Sequence, residues 1–258
     1  MTERHERLER LVTNATARLG AGSPWLVVGA VPVRPAPVGF GGARADELRR
    51  WVRRQVADWP APVAIGSEPP ETGAGRLIFV PSPRPAGTYY CELHADGSAL
   101  GALAVGALRD SPSDGRQVWA VGEGAVAWIT IAMVRLIAAF AEHTAALGEA
   151  VVETTIITPA GAAPTEVWNH AGQVYGPAAG VRRLTQVAPA RRTVDLAPCL
   201  SSGLTTTARP LVLDLLRRFG LAESRHIDPA GVLQRGHFTG YDALIHAWAD
   251  AIGVPSEP

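Results

Sequence analysis

One stretch of the chain, from Thr88 to Thr158, constrains the fold more than any other. It begins with two runs of strand-forming residues on either side of Asp96-Gly97, a dipeptide that favours a type I′ hairpin turn in which both central residues have positive φ. A third short run, a long apolar segment and a β-branched run follow. This order predicts a hairpin, another strand, a long helix that ends at Gly148, and a returning strand.

The rest of the chain adds helices at both ends. Helically spaced apolar residues predict helices over 3–19 and 45–59, and two more over 209–219 and 241–252. The continuous apolar run from Trp25 to Val33 predicts a strand that is buried on both faces. We therefore expect an α+β fold, in which a mostly antiparallel sheet packs against a long central helix and further helices lie at both termini.

Changes in composition divide the chain into three segments. These are a helix-strand-helix segment over 1–75, a central sheet with the long helix over 76–196, and a C-terminal helical segment over 197–258. A length of 258 residues also suits one continuous domain. Within the central segment, we expect 182–188 and 191–196 to pair as strands.

The charge balance bears on the class of partner. The 24 basic residues, all arginine, equal the 24 acidic residues in number, so no excess positive charge favours nucleic acid or an anionic membrane. The apolar segment over 125–141 contains Arg135, which is costly at the centre of a bilayer, so we expect a buried core helix and no membrane partner. The charged N-terminus predicts a cytoplasmic protein.

Glu92 and His94 are the first pair of residues that could carry chemistry. They lie two positions apart in a predicted strand, so both side chains share one face of the sheet, where a carboxylate beside an imidazole could do acid-base work. The alternative is that they are ordinary polar residues on an exposed sheet face. Glu123, between two glycines, is expected to favour the start of the long helix electrostatically.

A second group lies near the C-terminus. Arg235, His237 and Tyr241 could line the mouth of a pocket, although a capped junction between a loop and a helix would explain the same residues. With Glu92 and His94, these three are the candidate ligand-binding residues.

No catalytic or metal-binding motif is recognisable. His143 lacks a second ligand at the spacing of a zinc protease, and the residues around Ser201 lack the Gly-x-Ser-x-Gly elbow. The two cysteines do not form a disulfide framework. The sequence therefore predicts no metal, no cofactor and no assigned catalytic residue.

Three pieces of the chain resemble a known protein region. They are the run that begins at Trp25, the Tyr89-Tyr-Cys-Glu-Leu-His-Ala-Asp-Gly-Ser hairpin, and the closing helices with Phe219-Gly-Leu and Trp248. Together they resemble the region that follows the AlbA-like, Schlafen-type DNA-binding domain in some actinobacterial proteins. The acidic residues and strand motif that define the DNA-binding part are not recognisable here. The resemblance thus implies an accessory domain that binds something, and it transfers no nuclease role to any residue.

Three functions remain open from the sequence. The first is a non-catalytic binding or protein-interaction domain, whose partner would be a second copy of the chain or another protein. The second is a small-molecule hydrolase with a pocket between the central sheet and the C-terminal segment. The third is a nucleic-acid-associated regulator, which would require the helix face with Arg49, Arg50, Arg53 and Arg54 and the arginine pairs at 182–183 and 191–192 to join one surface.

Overall fold

The computed structural model describes residues 3–37, 39–40, 42–81, 88–159, 161 and 163–258, and their fold is of the predicted α+β class. The helices are α1 (Glu3–Thr16), α2 (Gly42–Val56), α3 (Glu123–His143), α4 (Leu204–Arg218) and α5 (Asp242–Ile252). The strands are β1 (Trp25–Pro32), β2 (Glu71–Gly73), β3 (Arg76–Phe79), β4 (Tyr89–His94), β5 (Ala99–Ala104), β6 (Ala107–Asp110), β7 (Gln117–Gly122), β8 (Glu149–Ile157), β9 (Thr165–Ala171), β10 (Val174–Pro177), β11 (Ala190–Asp195), β12 (Leu233–Gln234) and β13 (Ser256–Glu257).

The larger sheet, which we call sheet A, has seven antiparallel strands in the order β11-β8-β1-β5-β4-β3-β2. All eight residues of β1 are buried, as the continuous apolar run predicted, because β1 lies between β8 and β5 and is covered by helices on both faces. β1 comes from the predicted segment 1–75 and its neighbours from 76–196. The proposed division into segments stays a prediction.

Helices cover the two faces of sheet A unequally. Helix α1 packs on one face through Leu8 and Leu11, where it forms a small apolar core with Val27 and Tyr90. The other face carries a larger core to which α2, α3, α4 and α5 all contribute.

Helix α3 is long and apolar enough to cross a membrane, but 78% of its most apolar 18-residue stretch is buried inside the protein, as in the core helix of a globular domain.

The β4–β5 hairpin forms as predicted, but its turn is of a different type. Gly97 has a φ of 84°, whereas Asp96 is not among the described residues with positive φ. The N–H of Gly97 donates to the carbonyl of His94 at 3.0 Å, so the loop contains three residues, with Ala95 as the first. The prediction of a type I′ turn was wrong because this additional residue allows a type I turn followed by a left-handed glycine.

Two other predictions about the central segment need correction. Strand β11 pairs with β8 rather than with 182–188, and Arg191 lies opposite Glu153 in this register, where the two form an ion pair. Helix α3 ends at His143, earlier than predicted, because Ala145 adopts a left-handed conformation with a φ of 58° and the N–H of Ala146 donates to the Ala141 carbonyl at 2.7 Å.

A second sheet, which we call sheet B, has four strands in the order β10-β9-β7-β6. Strands β7 and β9 are parallel, and the other two pairs are antiparallel. The last residue of β7, Gly122, is followed directly by the first residue of α3, so the start of the long helix lies at the end of sheet B. This junction positions the candidate site.

Candidate functional site

A cavity of about 550 Å³ lies at the start of α3. The first turn of α3 forms one side, residues of sheet B form another, and residues 226–241 form the third. Alanines and glycines at the ends of β5, β6 and β7 leave the space open. Eight aromatic rings also line it: Trp128, Trp168, His170, Tyr175, His226, His237, Phe238 and Tyr241. A concave lining that combines apolar and aromatic surface with several polar groups is typical of small-molecule sites.

The β9–β10 hairpin holds the aromatic wall in place. Tyr175 lies opposite His170 in the strand register, and its ring centroid is 4.9 Å from that of His170 and 5.4 Å from that of Trp168. The indole N–H of Trp168 donates to Glu166 Oε2 at 2.9 Å. Because this hydrogen bond and the cross-strand contacts fix the rings, the wall is already formed without a ligand.

Glu123 joins three parts of the chain at the edge of the cavity. Its Oε1 accepts the backbone N–H of Arg225 at 2.8 Å and lies 3.3 Å from Nδ1 of His226. Its Oε2 accepts the side-chain N–H of Asn169 at 3.0 Å. The carboxylate of the first residue of α3 therefore ties β9 and the C-terminal segment to the start of the helix.

These contacts decide the charge of Glu123. Burial by itself would raise the pKa of the carboxyl group, but the contacts with His226, Asn169 and Arg225 outweigh burial and lower the pKa to about 2. The Nε2–H of His226 donates to the carbonyl of His237 at 3.1 Å, since a carbonyl can only accept. A carboxylate that is ionised and fully hydrogen-bonded is a weak base and has no proton to donate near neutral pH.

His237 is a neutral member of the cavity lining. Burial lowers the pKa of its imidazole, and the neighbouring His226 and Arg225 lower that pKa further. Arg225 in turn donates to the carbonyl of His170 at 3.3 Å, which links the C-terminal segment to β9 a second time.

The structure separates the three C-terminal candidates. His237 and Tyr241 line the cavity, and Tyr241 is 47% exposed at its mouth. Arg235 is not among the lining residues, and its Nε lies 3.9 Å from Asp242 Oδ1 at the start of α5. That contact is the loop-to-helix junction that the sequence offered as the alternative.

Glu92 and His94 meet in a different place. Nε2 of His94 lies 2.7 Å from Glu92 Oε2, and the Tyr90 hydroxyl donates to Glu92 Oε1. Glu92 is fully buried and His94 is 5% exposed. The interpretation as an exposed sheet face was wrong because α1 covers that face, and Arg7 of α1 places Nη2 3.3 Å from His94 Nδ1.

The sequence did not indicate the Glu123–His226 contact or the role of Trp168 and Tyr175. The available signals were the Gly-Glu-Gly sequence at the start of α3 and the aromatic residues in the loop-like region before Gly180. Neither signal shows which distant residues contact Glu123, Trp168 or Tyr175.

The described residues of the cavity lining include no serine or cysteine. Cys199 is buried, its pKa is raised by that burial to about 12, and its Sγ contacts the carbonyl of Asp195. Among the described residues, no group of three His, Cys, Asp or Glu side chains is arranged to hold a metal ion.

Comparisons with protein families, with curated proteins and with solved structures found no match to this chain. The resemblance to the region after the Schlafen-type domain stays a prediction.

Proposed function

We propose that this protein is a non-catalytic binding protein that holds a small molecule in the cavity at the start of α3. One observation carries the proposal: the cavity has a preformed aromatic wall, while Glu123, the only carboxylate among the described lining residues, is fully occupied by contacts within the protein. Such a site offers packing surface and a few polar groups, as a binding pocket requires.

Hydrolysis is supported less well by the same residues. A hydrolase needs a nucleophile and a base in a concave site. Cys199 is buried away from the lining, and the Glu92–His94 pair lies under α1 instead of in the cavity. Glu123, with its pKa lowered to about 2, is a poor general base.

A nucleic-acid surface is also supported less well. Arg183, Arg191 and Arg192 each form an ion pair with a carboxylate of this chain, so the arginine pairs noted in the sequence are largely used for internal contacts. A second copy of the chain or another protein as partner stays a prediction, which light scattering on the purified protein would test.

The proposal is tested by filling the cavity. Ala107 is exposed and lines it, so Ala107→Trp should occupy the space without straining the core. Ala251→Trp is the matched control, since Ala251 is exposed near the end of α5 and does not line the cavity. We expect calorimetry to show saturable one-site binding of 2-naphthalenemethanol to the wild type and the control, and binding at least about tenfold weaker to Ala107→Trp.

Two results would count against this function. One is the absence of saturable binding to the wild type, or equal binding to all three proteins. The other is hydrolysis of 2-naphthyl acetate that Ala107→Trp abolishes and Ala251→Trp does not, because the site would then be catalytic.

A further inference from the structure

Arg109 differs from the other arginines near the cavity. It lies in β6 and lines the cavity, and within the described part of the chain its guanidinium forms neither a hydrogen bond nor an ion pair. By contrast, Arg183 contacts Asp114 at 2.6 Å and Glu166 at 3.2 Å, and Arg116 lies 3.8 Å from Asp114. A guanidinium that has no internal partner and borders an aromatic cavity is available to an anion.

The start of α3 also favours an anion in the cavity. The backbone of its first turn lines the cavity, and this helix of 21 residues contributes the positive end of the helix dipole. Glu123 is the only carboxylate among the described lining residues, and it is already in contact with Asn169, Arg225 and His226. The Arg109 guanidinium has no such partner among the described residues.

Tyr175 adds a hydroxyl group to the cavity near the start of α3. A Cβ atom on Gly122 would lie 3.4 Å from the Tyr175 hydroxyl oxygen. Burial raises the pKa of Tyr175, while the charge of Arg109 acts in the opposite direction. Arg109 and Tyr175 come from the two outer strands of sheet B and line the same cavity, so both can donate hydrogen bonds to a ligand there.

Building on the proposed function, we infer that the ligand is a small aromatic carboxylate, whose carboxylate group binds Arg109 and whose ring packs against the aromatic wall. A guanidinium and a carboxylate have matching planar geometry. The rings of Trp168 and Tyr175 offer the flat surface on which an aromatic ring packs favourably. With one unpaired cation in the lining, the site suits a single negative charge better than a polyphosphate.

The test compares three probes with the same ring. Calorimetry would measure the binding of 2-naphthoate, of neutral 2-naphthalenemethanol and of the cation 2-naphthylmethylammonium to the wild type. We expect 2-naphthoate to bind at least about tenfold more tightly than the neutral probe, and the cation to bind most weakly.

The preference should depend on Arg109. Arg109→Gln should abolish the preference for 2-naphthoate, so that the ratio of its affinity to that of 2-naphthalenemethanol falls to about one. Arg116→Gln is the matched control, because it makes the same change in charge at an 83% exposed side chain outside the cavity. Equal affinities of the wild type for the acid and the alcohol, or a preference that survives Arg109→Gln, would overturn the inference. Since the neutral probe tests the cavity alone, failure of the carboxylate preference is distinguishable from failure of the proposed function.

Discussion

The described part of the chain contains two buried pairs of a glutamate with a histidine, which differ in how far apart their members lie in the sequence. Glu92 and His94 are two positions apart in β4, and their atoms approach to 2.7 Å. Glu123 and His226 are more than a hundred positions apart, and their atoms approach to 3.3 Å. The four side chains are almost equally buried, at 0–6% exposure. The chemistry is the same, but the first pair is local and the second joins distant parts of the chain.

Their surroundings decide what each pair can do. Helix α1 seals the Glu92–His94 pair against sheet A, so that pair contributes to the packing of a helix on a sheet. The Glu123–His226 pair borders the cavity, and it holds the C-terminal segment that forms one side of it. A titratable pair therefore indicates a site only when an open space adjoins it, which burial alone does not reveal.

The largest expected effect comes from removing Glu123. Glu123→Ala leaves His226, Asn169 and the N–H of Arg225 without their partner, so we expect the free energy of unfolding to fall by about 3–5 kcal/mol in urea denaturation. Binding of 2-naphthalenemethanol should weaken as well, because the C-terminal side of the cavity loses its attachment. Glu142→Ala, at the exposed end of the same helix, is the control.

The variant Glu92→Ala tests the other pair, Glu92–His94. This change should also destabilise the fold, but the protein that remains folded should bind 2-naphthalenemethanol as the wild type does. If Glu92→Ala impaired binding as much as Glu123→Ala, the distinction between the Glu92–His94 pair, covered by α1 (the sealed pair), and the Glu123–His226 pair, which borders the cavity (the cavity pair), would be wrong.

Acid should weaken the contribution of Glu123 over a defined range. Its pKa is lowered from 4.5 in the unfolded chain to about 2 in the fold, so its stabilisation is complete above pH 4.5 and is lost as the pH falls toward 2. The shift corresponds to about 3 kcal/mol. The difference in unfolding free energy between the wild type and Glu123→Ala should therefore shrink by this order between neutral pH and pH 2. A difference independent of pH would show that the carboxylate charge is not what stabilises the junction.

The sequence allowed prediction of those features that depend on neighbouring residues. The buried strand β1 follows from its continuous apolar run, and the shared face of Glu92 and His94 follows from the two-residue period of a strand. Helix α3 follows from an apolar segment too long for a strand. These features need no knowledge of what packs against them.

The remaining features depend on contacts between distant segments. The pairing of β11 with β8 requires the sheet order, and the burial of His94 requires α1 to cover its face. The contact of Glu123 with His226 arises only after the C-terminal segment has returned to the start of α3. No local sequence pattern encodes contacts between distant segments. The sequence therefore indicated His237 and Tyr241 as candidates, but it did not indicate the Glu123–His226 contact that positions their segment.

The smallest expected effect concerns the connection from α1 to the sealed pair. Arg7 contacts His94 Nδ1 at 3.3 Å and Asp96 at 3.2 Å, but the ion pair is 33% and 39% exposed on its two side chains. Arg7→Gln should therefore lower the free energy of unfolding by about 0.5–1 kcal/mol in urea denaturation. Arg10→Gln, the same charge change at an exposed position of the same helix, should have less effect. Because the apolar contacts of Leu8 and Leu11 hold α1 on the sheet, the Glu92–His94 pair should stay buried without Arg7. A loss of several kcal/mol would instead mean that the sealed pair, like the cavity pair, depends on a distant charged partner.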